Sequence, residues 1–335
     1  MRVMAEPLLQ VENLQTHFAS RSGTLKAVDG VSFSLNAGET LGLVGESGSG
    51  KSMTCTSLLR LVPEPGGRIA GGRVLFKGRD LLALSPRDMR AVRGREIAMI
   101  LQDPLTSLNP GYTIGAQVAE AIAMHQKVSG TELQRRVIDI LRRVGIPAPE
   151  RRAGDYPHQL SGGMRQRVAG AIALSCQPDL LIADEPTTAL DATVGAQYLQ
   201  LLKELQREFG FGMIFVTHDL GIISRICDQV AIMYAGRIVE TAPTRVIFDR
   251  PAHPYTRALI GSIPDTDNPR RRLVAIGGQP PVPRNLPPGC AFADRCPEVM
   301  PACRGADPAP VHPAPGHMAR CLRAASAISA EVSHV

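Results

Sequence analysis

The sequence predicts an α/β protein: a parallel sheet with helices on both faces, a helical insert, an antiparallel β part and a cysteine-rich C-terminal extension. Three observations carry this. Short apolar segments at Thr40–Val44, Glu96–Leu101, Asp179–Asp184 and Met213–Thr217 alternate with helical patterns, as doubly covered strands do. A glycine-rich turn opens at Gly45, straight after the first of these segments and straight before a helical pattern. Near Pro264 the composition shifts toward Pro, Arg and Gly, and four of the seven cysteines follow.

Taken in order, Leu8–Asn13 and Val31–Leu35 alternate apolar and polar residues, the pattern of half-exposed strands. Thr40–Val44 is an apolar strand. Lys51–Leu61 has helical periodicity and stops at Val62-Pro63. Arg73–Phe76 reads as a strand closed by the turn Lys77-Gly78. Between the strands Glu96–Leu101 and Asp179–Asp184 lies the insert, about residues 103–170, with helical periods in Ile114–Met124 and Leu133–Val144. Val230–Tyr234, the turn Ala235-Gly236 and Arg237–Glu240 form a hairpin. The expected division is a main domain over residues 1–262 and an extension over 263–335.

Composition narrows the function. The 335 residues are 44% hydrophobic, enough for a large core, yet no apolar run nears the roughly 18–20 residues that span a bilayer. The N-terminal Met1–Pro7 carries no apolar stretch of a secretory signal, so a membrane role is expected through docking onto another chain. A net charge of +6 suits an acidic partner, an anionic surface or simply a solvated face. With no Trp and 4% aromatics, nucleic-acid bases would find few stacking platforms, and no nucleic-acid partner is expected.

The turn Gly45-Glu46-Ser47-Gly48-Ser49-Gly50-Lys51-Ser52 fits G-x-x-x-x-G-K-S between a strand and a helix. Its glycines let backbone N–H groups turn inward around phosphate oxygens, and the helix N-terminus adds positive potential. Lys51 then neutralises the β- and γ-phosphates of ATP, and the Ser52 hydroxyl ligates Mg²⁺. The strand Leu180–Ala183 runs into Asp184-Glu185, and carboxylates at the C-terminal end of a parallel strand lie where such sheets bind ligands. Asp184 is the expected Mg²⁺ ligand through water, and Glu185 the general base for the attacking water.

Leu160-Ser161-Gly162-Gly163-Met164-Arg165-Gln166-Arg167 resembles the signature of ABC transporter ATPases, in the version common among peptide importers. Physically it offers a Ser and two Gly at a helix start, where open N–H groups can take a phosphate. The resemblance extends to other positions. Gln102 resembles the Q-loop glutamine that touches Mg²⁺, and Asp191 in Ala189-Leu190-Asp191 resembles the D-loop aspartate. His218 resembles the switch histidine at the γ-phosphate. Phe18 resembles the aromatic residue under the adenine, and fits a core residue almost as well. The resemblance implies a P-loop NTPase (RecA-like) core with an antiparallel β subdomain and a helical subdomain, hydrolysing ATP to drive uptake of peptides. It also implies a head-to-tail pair with a second homologous ATPase subunit, a heterodimer, in which the signature of one completes the phosphate loop of the other. Two transmembrane permease subunits and an extracytoplasmic substrate-binding protein complete the assembly, with this chain peripheral on the cytoplasmic face of the inner membrane. The alternative is a soluble ABC ATPase acting on nucleic acid or ribosomes, which usually carries two cassettes or long coiled-coil arms.

His253-Pro254-Tyr255-Thr256 and Pro287-Pro288-Gly289-Cys290 resemble the extension of oligopeptide and dipeptide importer ATPases. Cys290, Cys296, Cys303 and Cys321 are spaced C-x5-C-x6-C-x17-C, and four thiolates suit either Zn²⁺ or an iron–sulfur cluster. Unligated thiols are a third reading. The family resemblance points to a [4Fe–4S] cluster, with Arg295, Arg304, Arg320 and Arg323 available to offset its charge. Such a cluster would staple a tail expected to be too short and polar to bury a core of its own. Cys55, Cys176 and Cys227 read as buried small hydrophobes.

Overall fold

The computed structural model describes residues 6–21, 23–102, 107–263 and 275–324. The start of the predicted insert, residues 103–106, and the composition shift at Pro264 lie outside the described residues. Among the described residues the strands up to the middle of the chain are β1 Leu9–Ser20, β2 Gly23–Leu35, β3 Thr40–Val44, β4 Gly67–Phe76, β5 Arg79–Asp80 and β6 Ile97–Ile100. They continue with β7 Leu180–Asp184, β8 Gly212–Thr217, β9 Gln229–Tyr234, β10 Arg237–Pro243, β11 Val311–Ala314 and β12 His317–Ala319. The first helices are α1 Lys51–Leu58, α2 Pro86–Val92, α3 Ile114–His125, α4 Gly130–Arg143 and α5 Pro149–Arg152. After them come α6 Gly162–Leu174, α7 Ala192–Phe209, α8 Leu220–Ile226, α9 Thr244–Asp249 and α10 Pro254–Gly261. The chain forms two compact units: residues 1–9, 35–40 and 76–216 in one, and residues 10–34, 41–75 and 217–335 in the other.

In the first unit β6, β7 and β8 run parallel, with Ile97 opposite Leu180 and Leu180 opposite Gly212. Every residue of β7 and β8 is buried, which is why these segments read as continuous apolar runs. The predicted helical insert is present. Thr113 caps α3 by accepting from the Ala116 N–H, and α4 buries Val137, Ile140 and Leu141 at three- and four-residue spacing. Behind the signature, α6 buries Val168, Ala171 and Leu174. It approaches α7 so closely that a Cβ on Gly170 would stand 2.8 Å from Tyr198 Oη.

In the second unit β1 lies between β2 and β4, while β3 pairs in parallel with β9, and β9 antiparallel with β10. The β9–β10 hairpin closes through Ala235 at φ +49° and Gly236 at φ +82°, as a two-residue turn with both central residues left-handed requires. The helix expected over Lys51–Leu61 ends at Leu58. Arg60 takes a left-handed conformation, and the Arg60 and Leu61 N–H groups return to Ser57 O and Thr56 O. That pair of bonds is a Schellman closure just ahead of Val62-Pro63.

The largest departure from expectation is in the tail. Residues 311–319 form a hairpin, β11–β12, and β12 adds to β10 antiparallel with Ala319 opposite Glu240. Glu240 is fully buried and accepts from the N–H groups of Ala252 (2.7 Å) and His253 (2.9 Å). Its carboxylate also meets His317 Nε2 at 2.8 Å. Arg237 joins Asp29 (2.6 Å) to Asp307 (2.9 Å). Ala319, Cys321 and Ala324 form a small buried cluster against Ala252 and Val311. The tail is thus fastened by sheet extension, a buried carboxylate and a small apolar cluster shared with Ala252, where the sequence suggested a metal staple. Of the other cysteines, Cys55 and Cys227 are buried as expected and Cys176 is half-buried.

Candidate functional site

The second unit carries the phosphate loop. β3 delivers Gly45, and two of the loop glycines, Gly48 at φ +77° and Gly50 at φ +103°, sit where side chains are disfavoured. A Cβ on Gly45 would lie 2.2 Å from Met233 O, and one on Gly50 2.4 Å from Ala27 O, so the neighbouring backbone fixes both identities. Gly50 is the N-cap of α1, and Lys51 opens the helix. Lys51 is buried, with Nζ donating to Gly45 O (2.7 Å) and Glu46 O (3.0 Å), so the ammonium is held inside the curl of its own loop. Ser49 Oγ is buried and has no hydrogen-bond partner among the described residues. A buried ammonium beside an unsatisfied hydroxyl, at the start of a helix, fits the anionic oxygens of a nucleotide phosphate.

His218, the residue after β8 in sequence, belongs to this unit and is exposed, while the next residue, Asp219, caps α8 through the Gly221 (2.7 Å) and Ile222 (3.3 Å) N–H groups. Phe18 lies on β1, half-buried, with Cε1 2.6 Å from where a Cβ on Gly67 would stand. Close packing on β4 therefore occupies part of the Phe18 ring.

The first unit carries the carboxylates and the signature. Asp184 ends β7 and is buried. Glu185 follows with φ +46°, a left-handed conformation that costs a non-glycine residue about 1–3 kcal/mol and concentrates at functional positions. Its Oε2 accepts from Gln102 Nε2 (3.1 Å) and from Thr188 Oγ1 (3.0 Å). The structure therefore brings two sequence-predicted residues, Gln102 and Glu185, into direct contact.

Ser161 caps α6 by accepting from the Met164 N–H, and Asp191 caps α7 through the N–H groups of Thr193 (3.1 Å) and Val194 (3.0 Å). A Cβ on Gly163 would come within 2.6 Å of Val194 Cγ1, so the two capped helix starts touch where Gly163 is needed. Gly162 differs. A Cβ there would meet nothing within 4 Å among the described residues, and the residue is exposed.

The four tail cysteines are near enough for Cys290 to sense the charges of Cys321, Cys303 and Cys296. Among the described residues, however, no group of three or more His, Cys, Asp or Glu side chains could hold a metal ion. Burial pushes the Cys290 thiol up to about 11. The arginines expected to balance a cluster have other partners. Arg295 pairs with Glu46, Arg304 with Asp294, Arg320 with Asp307, and Arg323 donates to Glu298 O. Neither the iron–sulfur nor the zinc expectation is supported.

Sequence reasoning also missed what holds the phosphate loop from behind. Tyr255 Oη accepts from the Glu46 N–H at 3.0 Å, and Arg295 Nη1 donates to Glu46 Oε2 at 2.9 Å. No local pattern signals contacts between residues so far apart in sequence.

The ABC transporter model matches residues 28–188, and the model of the oligopeptide/dipeptide transporter C-terminal region matches residues 239–303. A probable peptide ABC transporter ATP-binding protein of Sinorhizobium fredii is 50% identical over 96% of this chain and 98% of its own length. The chain belongs to the ATP-binding subunits of ABC transporters. The dipeptide transport ATP-binding protein DppD of Bacillus subtilis is 48% identical over 94% of each chain. Among solved structures, the ATP-binding cassette MJ0796, a dimer bound to ADP and Pi after hydrolysis, is 28% identical with a TM-score of 0.64. The match covers 71% of this ABC chain and 99% of that one. Among the described residues of this ABC subunit, no helix is long and apolar enough to cross a membrane.

Proposed function

We propose that this subunit binds and hydrolyses MgATP to drive a peptide importer whose pore lies in other chains. The phosphate loop carries the reading: Lys51 is buried in the curl of Gly45–Ser52 at the start of α1, beside the unsatisfied Ser49 hydroxyl. In this reading Gly45, Ser47, Gly48, Ser49, Gly50 and Lys51 wrap the phosphates, and Phe18 borders the adenine with its free ring surface. Ser52, Gln102 and Asp184 serve Mg²⁺, the roles that their family motifs imply. Glu185 polarises the attacking water, and its link to Gln102 orients the carboxylate. His218, exposed at the end of β8, contacts the γ-phosphate.

The signature and Asp191 act on a second cassette. Gly162 supports this, because nothing among the described residues requires a glycine there, whereas the close approach of a ligand held by a partner would. The working unit is then this chain with a related ATPase subunit, docked on two permease subunits at the cytoplasmic face of the inner membrane. A binding protein outside delivers peptide. The cassette spans residues 1–262 and the extension 263–335. The peptide assignment rests on what the relatives are named for, and the extension model that matches 239–303 agrees with it.

Complementation tests the composite site. In a homodimeric preparation, mixing a Lys51→Ala chain with a Ser161→Arg chain restores one competent site, and ATPase activity should exceed that of either variant alone. Equal activity in the mixture refutes it. Uptake of labelled dipeptides by cells with and without the gene tests the substrate class. Iron and zinc analysis of anaerobically purified protein bears on the tail separately.

A further inference from the structure

The C-terminal tail and the phosphate loop share one ion pair, and it is built with unusual care. Arg295 Nη1 donates to Glu46 Oε2 at 2.9 Å and to Tyr234 Oη at 3.2 Å. Its Nε donates to Gly277 O at 2.9 Å, and its guanidinium carbon stands 5.7 Å from the Tyr234 ring centre and 5.8 Å from that of Phe292. The side chain is only 5% exposed. An arginine held on several sides delivers its charge to a fixed point.

That point is the second residue of the phosphate loop. Glu46 is fastened three ways: its N–H to Tyr255 Oη, its carbonyl to Lys51 Nζ (3.0 Å) and the Ser49 N–H (3.1 Å), and its carboxylate to Arg295. The second carboxylate oxygen, Oε1, is buried without a hydrogen-bond partner among the described residues. A carboxylate in a loop that receives a polyphosphate opposes its own ligand, and burial makes that opposition stronger. Tyr234, Tyr255 and Phe292 pack with ring centres 4.7–5.3 Å apart, so the loop's brace and the tail's brace are one aromatic cluster.

We propose that Arg295 is a positioning residue for nucleotide binding: the tail cancels the Glu46 charge through Arg295 and, through Phe292 packed on Tyr255, supports the hydroxyl that holds the Glu46 N–H, so the phosphate loop binds nucleotide fully only when the tail is docked. The extension then has a role in the ATP cycle as well as in the fold. This rests on the phosphate-loop reading, which is tested separately by whether the parent full-length chain binds MgATP and Lys51→Ala abolishes that binding.

The experiment is a charge cycle on the full-length chain, with MgATP affinity measured by titration calorimetry and folding checked by circular dichroism. Arg295→Met should raise the MgATP Kd about tenfold, the effect of exposing one nearby negative charge to the phosphates. In the transporter it should raise KM by a similar factor and change kcat far less. Arg295→Lys should recover part of the loss, since it keeps the charge and loses the fork. The double variant Arg295→Met with Glu46→Gln should return to within about threefold of the parent, because the opposing carboxylate is gone. An unchanged Kd in folded Arg295→Met, or a double variant as weak as the single, overturns the proposal. Should Arg295→Met fail to fold, Glu46→Gln alone decides: tighter MgATP binding supports the proposal and weaker binding overturns it.

Discussion

Gly162 and Gly163 are adjacent and chemically identical, yet the structure predicts opposite consequences for the same added methyl group. At Gly163 a Cβ would stand 2.6 Å from Val194 Cγ1, well inside contact distance, and α6 would have to move away from the start of α7. Overpacking of this kind costs about 1–3 kcal/mol. At Gly162 a Cβ meets nothing within 4 Å among the described residues, and Gly162 is the first residue of α6 behind its Ser161 cap. Alanine there trades a flexible residue for a good helix former, a gain of up to about 1 kcal/mol. Gly162→Ala should therefore leave the melting temperature level or raise it by a few degrees, while Gly163→Ala lowers it. Val194→Ala in the Gly163→Ala background should restore part of the loss. Function should divide differently. If Gly162 is glycine because a nucleotide on the partner cassette comes up against it, Gly162→Ala should cut transport-coupled ATPase activity at least about tenfold in a chain that is no less stable. Differential scanning calorimetry on the purified chain and ATPase assays on the assembled transporter measure the two effects. Normal ATPase activity in Gly162→Ala refutes the reasoning, and so does a destabilised Gly162→Ala chain.

Three further outcomes follow from the geometry. Glu185→Gln should keep MgATP binding and lose about 10²–10⁴-fold in hydrolysis, as removal of a general base does; near-normal turnover would remove Glu185 from the role. Burial holds His253 neutral with its pKa lowered to about 4 from 6.5, so the unfolded chain takes up a proton that the folded chain refuses between those values. Stability should fall by up to about 3 kcal/mol as pH drops from 6.5 toward 4, read as a falling urea midpoint, and His253→Asn should flatten that dependence. Glu240→Gln puts an amide NH₂ against N–H donors and should cost about 3 kcal/mol, seen as faster hydrogen exchange in β12 and around His253.

What could be read from the sequence was local, and what could not was joined across long stretches of chain. β7 and β8 announce themselves because both faces are covered, which forces apolar runs, Leu180–Ala183 and Met213–Val216, up to the polar residues Asp184 and Thr217 that end the strands. The phosphate loop is legible because its glycines answer to conformations and contacts that only glycine meets, at Gly45, Gly48 and Gly50. The caps at Ser161 and Asp191 need only the following turn of helix. By contrast, β11 and β12 are four- and three-residue strands rich in Ala, His and Pro, with no alternation to see. They are strands because β10 offers an edge and because His317 finds Glu240, 77 residues away. The Arg295–Glu46 pair spans 249 residues. Read along the chain, Arg295 is one more basic residue beside a cysteine, and a cluster's counter-charge was a natural reading. In the folded chain the same guanidinium is turned away to the phosphate loop. That one reversal changes the extension from a separately stapled appendage into the wall against which the nucleotide loop is set.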